Sequence, residues 1–196
     1  LNSSISVAFA GSNARQIVES LPQDTPIIFG PDRNLGGYIN SITGRNMLLW
    51  DGACHVHEKF SVEKILELKK QYPDAKVLVH PECKGTVVKL ADKVGSTAAL
   101  LKYSINDPAQ VFIVATESGI LHEMQKSCPE KTFIPAPPSD STCACNECSY
   151  MKLVTMQKLY DCLLNEAPEI HVDAEVAEKA IRPINRMLEI SEKLGL

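Results

Sequence analysis

The sequence has no block of basic residues, and its formal net charge is −4. Nothing in it points to nucleic acid or to an anionic membrane surface. It has no apolar run approaching the ~20 residues that cross a bilayer. No secretory leader is legible at its start, so a cytoplasmic protein is the expectation. A disulfide framework fits poorly. The seven cysteines are odd in number, and three crowd into Cys143-Ala144-Cys145-Asn146-Glu147-Cys148. Metal or redox chemistry in a reducing compartment fits better. Zinc normally takes four N or S ligands from two paired motifs, and a second pair is missing. What is present is an ordinary globular composition, 44% hydrophobic and 22% charged over 196 residues. That is chain enough to bury a core.

The stretch Trp50-Asp51-Gly52-Ala53-Cys54-His55-Val56-His57-Glu58 organises the rest. The apolar run Met47 to Trp50 reads as a buried strand. Asp51-Gly52 turns the chain. A thiol, two imidazoles and a carboxylate follow at once. Such groups suit the mouth of an α/β sheet, beyond the carboxyl ends of its strands. A buried cysteine beside two surface histidines is the plainer reading.

Strand and helix patterns alternate along the chain. Gly11-Ser12 opens a helix to about Leu21, and Ile27 to Phe29 reads as a strand. Asn34 to Ile42 reads as a helix, which Gly36-Gly37 weakens. Ser61 caps a helix with an apolar face of Ile65, Leu66 and Leu68. Lys76 to Val79 is a buried strand ending in His80-Pro81-Glu82-Cys83. Gly85 to Asp92 reads as helical, and Gly95-Ser96-Thr97 opens a helix to about Tyr103. Val111 to Ala115 is a strand ending in Thr116-Glu117-Ser118, a helix runs to about Lys126, and Thr132 to Ile134 is a strand. Two helices close the chain, Lys152 to Asn165 and Asp173 to about Lys193. Pro183 falls inside the second, and Cys162 on the apolar face of the first with Leu159 and Leu163, where it should be core.

The pattern repeats. Gly11-Ser12-Asn13-Ala14 matches Gly95-Ser96-Thr97-Ala98, and Ile27 to Phe29 matches Val111 to Val114. The loop at Cys54 matches the loop ending at Cys148, all at an offset of about 84 to 94 residues. Two copies of one α/β unit each finish on a cysteine. The first copy lacks the leading helix and strand of the second, so residues are expected upstream.

Polar groups recur at strand ends. If the strands are parallel, Cys54, His55 and His57, then His80, Glu82 and Cys83, and then Thr116, Glu117 and Ser118 converge on one edge. Ser96 and Thr97, like Ser12, could hold an anion at a helix start or simply cap the helix. His80 and Glu82 share one side of an extended segment, which suits substrate binding, proton transfer or a surface ion pair. The thiolates of Cys143, Cys145 and Cys148 could serve a zinc or redox site. An iron–sulfur cluster instead draws thiolates from distant parts of a chain.

Five segments occur here in the order found in the quinolinate synthase family. They are Trp50-Asp51-Gly52 through Glu58, His80-Pro81-Glu82-Cys83, Val94-Gly95-Ser96-Thr97, Ala115-Thr116-Glu117-Ser118-Gly119 and Cys145-Asn146-Glu147-Cys148 with Met151-Lys152. The chain resembles that family over nearly its whole length. The resemblance implies an α/β fold of repeated three-layer αβα domains with parallel sheets around a pseudo-threefold axis. Residues 1–58 would form the second domain without its amino-terminal part, and 59–148 the third. Residues 149–196 would be helices packing back on the first domain. It implies a [4Fe–4S] cluster with Cys54 and Cys148 as metal ligands and a third cysteine from the missing first domain.

It further implies catalytic roles for His57, His80 and Glu82. Substrate contacts would come from Asn2, Ser12, His80, Glu82, Ser96, Thr97 and Lys152. The activity implied is condensation of iminoaspartate with dihydroxyacetone phosphate, releasing phosphate and water, in NAD biosynthesis. A partner enzyme would supply iminoaspartate, an L-aspartate oxidase or dehydrogenase. The chain departs from the family where Gly11 replaces a usual serine and Ser149 a usual proline. Without the first domain, this chain alone is expected to be inactive. A non-catalytic zinc- or redox-binding cysteine module is the competing expectation.

Overall fold

The structure is a computed structural model that describes residues 6–140 and 146–196; Asn2, Cys143 and Cys145 lie outside the described residues. The chain divides into two compact units, Pro26–Ser149 and a second made of Leu1–Thr25 with Tyr150–Leu196. Among the described residues, no helix is long and apolar enough to cross a membrane.

Helix α1 (Ala14–Glu19) belongs to the second unit. The larger unit begins with β1 (Ile28–Phe29), α2 (Arg33–Thr43) and β2 (Leu48–Leu49). Then come α3 (Val62–Gln71), β3 (Lys76–Val79), α4 (Gly85–Val88), β4 (Lys93–Val94) and α5 (Thr97–Asn106). It closes with β5 (Val111–Ala115), α6 (Ile120–Ser127) and β6 (Thr132–Pro135). All strand pairs are parallel: β1 with β2, and β4-β3-β5-β6 in a second sheet.

The four-stranded sheet carries the core. Successive strand residues point to opposite faces. Val77, Val79, Ile113 and Ala115 therefore meet Ile65 of α3 and Val87 of α4. Leu78, Phe112 and Val114 meet Leu100 of α5 and Met124 of α6 on the other side. Helices cover both faces, which gives three αβα layers, and the middle of β3 and β5 is fully buried. Each such side chain contributes about 1.5–3 kcal/mol when removed from water. Ser61 caps α3 by accepting the Lys64 amide, as its sequence implies. Within that helix Ile65 is buried, whereas Leu66 turns outward.

Three expectations fail in detail. The run Met47 to Trp50 is not a buried strand, since Leu48 is 68% and Trp50 66% exposed. The pair β1–β2 is covered by α2 through Leu35 and Ile39, while its outer side stays open. Gly85 to Asp92 does not stay helical. The Asp92 carboxylate takes the Val77 amide at 2.8 Å, and the chain straightens into β4 at the sheet edge. Cys162 is exposed rather than core. Gly36, read as a helix weakener, lets α2 approach its sheet. A Cβ there would stand 2.6 Å from Leu49 Cδ2 and 2.8 Å from Phe29 Cδ1.

In the second unit, α7 (Met156–Asn165) and α8 (Ala174–Leu194) follow a short 3-10 turn at Met151–Leu153. Helix α8 turns Pro183, Met187 and Ile190 partly inward. The Pro183 carbonyl accepts the Ala8 amide at 3.0 Å, and Asn13 Nδ2 donates to Ser191 Oγ at 3.4 Å. Helix α1 buries Ala14, Ile17 and Val18. Helix α7 buries none of its residues.

Candidate functional site

The register of the larger sheet decides what gathers at its carboxyl edge. Val79 pairs with Val94 and with Ala115. The next residue on each strand, His80, Gly95 and Thr116, therefore stands at one end of the sheet. Ser96 and Thr97 follow Gly95 into α5, both half-buried. Ser96 Oγ accepts the Ala99 amide at 3.4 Å, so it does cap the helix. Cap and hydroxyl donor are compatible, because the Ser96 O–H remains available to donate.

The Cys54 loop comes to this edge from β2. It is pinned at its start by the Arg33 amide, which donates to the Gly52 carbonyl at 2.8 Å. A tight turn follows, with the Glu58 amide donating to the Cys54 carbonyl at 3.0 Å. The turn buries His57 and leaves His55 exposed. Glu58 accepts from Arg33 and from Asn34, tying the turn to α2.

His57 is the centre of the site. Its Nε2 lies 3.0 Å from Thr116 Oγ1, and its Nδ1 lies 3.1 Å from Glu82 Oε2. Nδ1 is buried, and among the described residues no acceptor is aligned with it as a hydrogen bond requires. The ring stacks on His80 with centroids 4.5 Å apart and planes at 18°. The ligand atoms of Cys54, His57 and Glu82 all lie within 4.8 Å of one another. Three groups from two strand exits thus converge on one point.

The electrostatics follow from that convergence. Contact with the His57 ring pulls the Cys54 thiol below its usual range, against the effect of burial. Burial alone would push His57 down, but Cys54 and Glu82 outweigh it and hold the ring up to about 9. Contact with His57 likewise holds Glu82 below the ordinary carboxylate range. His80 is pushed down to about 4, first by burial and then by the neighbouring His57 charge. At neutral pH the site therefore pairs an imidazolium with a carboxylate, beside a Cys54 thiol shifted toward the thiolate and a neutral His80. The Glu82 amide points at His80 Nδ1 at 3.3 Å, which assigns the ring proton to Nε2. Cys83, next in sequence, is buried at 1% exposure, burial raises its thiol, and Sγ donates to the Ala115 carbonyl at 3.4 Å.

Cys148 reaches the same region from β6. It packs, with Cys54, against the cluster that includes Val56, Phe60, Val79 and Ala136. Asn146 is buried and donates to the Ala136 carbonyl, and its own carbonyl accepts the Ser118 amide at 3.1 Å. Both half-buried thiols sit on one apolar surface, and the Cys54 surroundings favour the thiolate. That donor chemistry fits an iron–sulfur cluster, whose ligands are thiolates from separate chain segments. Ser12 and Lys152 are exposed residues of the other compact unit. Sequence reasoning noticed Thr116 only as a strand-end residue and gave it no role. The signal was its place one residue past a buried strand, level with His80.

Residues 3–189 match the family model described as NadA, quinolinate synthetase A protein. The quinolinate synthase of Synechococcus sp. is 56% identical over 180 residues, covering 92% of this chain and 56% of the relative. That of Thermosynechococcus vestitus is 54% identical over the same shares. That of Chloroherpeton thalassium is 52% identical over 181 residues, again 92% of this chain and 56% of the relative. The chain thus spans 56% of the length of these curated relatives.

Proposed function

This chain belongs to the quinolinate synthetase A protein family, and on that premise we propose that it carries most of the active site of a quinolinate synthase. The reaction is condensation of iminoaspartate with dihydroxyacetone phosphate, with loss of phosphate and water. The observation that carries the reading is the convergence of Cys54, His57 and Glu82 within 4.8 Å at a sheet edge, beside a neutral His80.

Cys54 and Cys148 would hold a [4Fe–4S] cluster, with a third thiolate from the part of the family's length outside this chain. When bound, the cluster supplies a Lewis acid for a substrate oxygen. The chain's own residues bind and move protons. His80 Nε2–H donates to a substrate carboxylate. The Ser96 and Thr97 hydroxyls donate to the same anion at the start of α5, where the helix end adds its own attraction. Glu82 accepts a proton at Oε, and the His57 imidazolium beside it steadies the carboxylate. Asn2, Ser12 and Lys152 take substrate contacts in this proposal. An L-aspartate oxidase or dehydrogenase supplies iminoaspartate, and the reaction runs in the cytoplasm.

A second reading has one observation in its favour. Cys54, His57 and Glu82 could alone hold a mononuclear zinc ion, as a non-catalytic module would. Anaerobic purification of the protein at full family length separates the two. The proposal expects a brown protein with a broad band near about 400 nm, from iron–thiolate chemistry. Glu82→Gln should keep the iron and lose turnover, and Cys148→Ser should lose both. A colourless protein with stoichiometric zinc would support the module instead.

A further inference from the structure

The two halves of the larger unit hold their cysteines in the same way. Asp32 follows β1 and caps α2, accepting the Leu35 amide on Oδ1 at 2.7 Å. Its other oxygen, Oδ2, accepts the Cys54 amide at 2.9 Å. Glu117 follows β5 and precedes α6. Its Oε2 accepts the Gly119 amide at 2.7 Å, and its Oε1 accepts the Cys148 amide at 3.3 Å. In each half a carboxylate leaves one strand, accepts an amide just ahead of or within the first turn of the next helix, and holds the cysteine that leaves the parallel neighbouring strand. Asp32 is itself buried, at 6% exposure.

We propose that Asp32 and Glu117 are paired positioning residues that fix Cys54 and Cys148 as cluster ligands. This role rests on the cluster reading above. The side chain must be a carboxylate, because both oxygens accept from a backbone N–H. An amide offers one acceptor and would turn its NH2 against the second donor. Each carboxylate also keeps a peptide N–H away from the sulfur it neighbours. Hydrogen bonds to cluster sulfurs and nearby charge are what set such a cluster's potential. A carboxylate that takes the amide and adds negative charge keeps that potential low.

Two variants separate this role from helix capping. Asp32→Ser still caps α2, since a serine oxygen serves that purpose, but cannot reach Cys54. Glu117→Gln keeps one acceptor, which the closer Gly119 amide takes. In the protein at full family length, backbone exchange at the Cys54 amide should rise about tenfold or more in Asp32→Ser, the loss of a bond to a charged acceptor. Exchange within α2 should not change. Glu117→Gln should do the same at Cys148 alone. With the cluster assembled anaerobically, each variant should release iron faster to a chelator and shift the reduction potential upward.

Unchanged exchange at both cysteine amides overturns the proposal. So does unchanged potential and iron release in folded variants. A wild type that takes up no iron overturns the cluster reading and this role together. The exchange result distinguishes that failure, because it reads the two hydrogen bonds without any metal.

Discussion

The two cysteine-bearing halves of the larger unit share a plan and differ in depth. In the Cys148 half, β5 lies between two strands and under helices on both faces, and Phe112 and Ile113 are wholly buried. In the Cys54 half, β1 and β2 pair only with each other among the described residues, and Ile28 is 77% exposed. Both halves deliver a cysteine to the same apolar surface. The difference teaches where stability and chemistry reside. The four-stranded sheet supplies rigidity, and the Cys54 loop borrows it by placing His57 against Thr116 and Glu82.

The largest test of that division is Phe112→Ala. The residue is fully buried and stacks on Phe133 with centroids 5.5 Å apart. Its truncation should cost about 3–5 kcal/mol in denaturant unfolding. A loss under about 1 kcal/mol would mean the four-stranded sheet is not the stable half.

Gly36→Ala probes the thinner half from inside. The added methyl would meet Leu49 and Phe29 side chains at separations no packed core shows. Alanine normally stabilises a helix relative to glycine, so the sign of the effect is informative. Overpacking should win, with a loss of about 1–3 kcal/mol. A gain in stability would show that α2 stands further from β1 and β2.

Much of this architecture was legible in the sequence, and the reasons are specific. Lys76 to Val79 and Val111 to Ala115 are short apolar runs bounded by turns, and both form strands with those limits. Met47 to Trp50 has the same texture but lacks a second layer. An apolar run reports a wish for burial, not whether a partner element exists to grant it. The edge strand β4 was invisible because two residues carry no period. It is made by the Asp92 carboxylate on the Val77 amide, a contact across 15 positions. The site divided similarly. Strand-end position brought His57, His80, Glu82 and Thr116 to notice, and the family resemblance assigned roles. The His57–Thr116 contact spans 59 positions and follows only from sheet order.

The pH dependence of the metal-free protein should report how the Cys54 loop leans on the stronger half. His57 is held up to about 9, above its ordinary value near 6.5. A raised folded value means that protonation favours the folded state. That contribution is complete below about pH 6.5 and is lost as pH rises through about 9. The Cys54 thiol, held below its usual value by the same contact, adds stability as pH rises through that window and opposes the loss. Stability should therefore fall by only on the order of 1 kcal/mol, measured by denaturant titration at several pH values. Glu82→Gln removes one of the two partners that raise His57, so the slope should flatten. An unaltered slope in that variant would assign the effect elsewhere.

The smallest effect belongs to Leu48→Ser, and it tests the open side of the thinner half. The backbone of Leu48 is engaged, with its amide donating to the Ile27 carbonyl at 2.9 Å. A serine keeps that bond. The leucine side chain is 68% exposed, so little apolar surface returns to water on substitution. Strand propensity falls slightly, and the total should stay within about 0.5 kcal/mol. The same change in the protein at full family length supplies the contrast. An equal, small effect there means that this side of β2 faces solvent in the family. A cost above about 2 kcal/mol there means that the remaining part of the family's length covers it, which would make the Cys54 half three-layered like its neighbour.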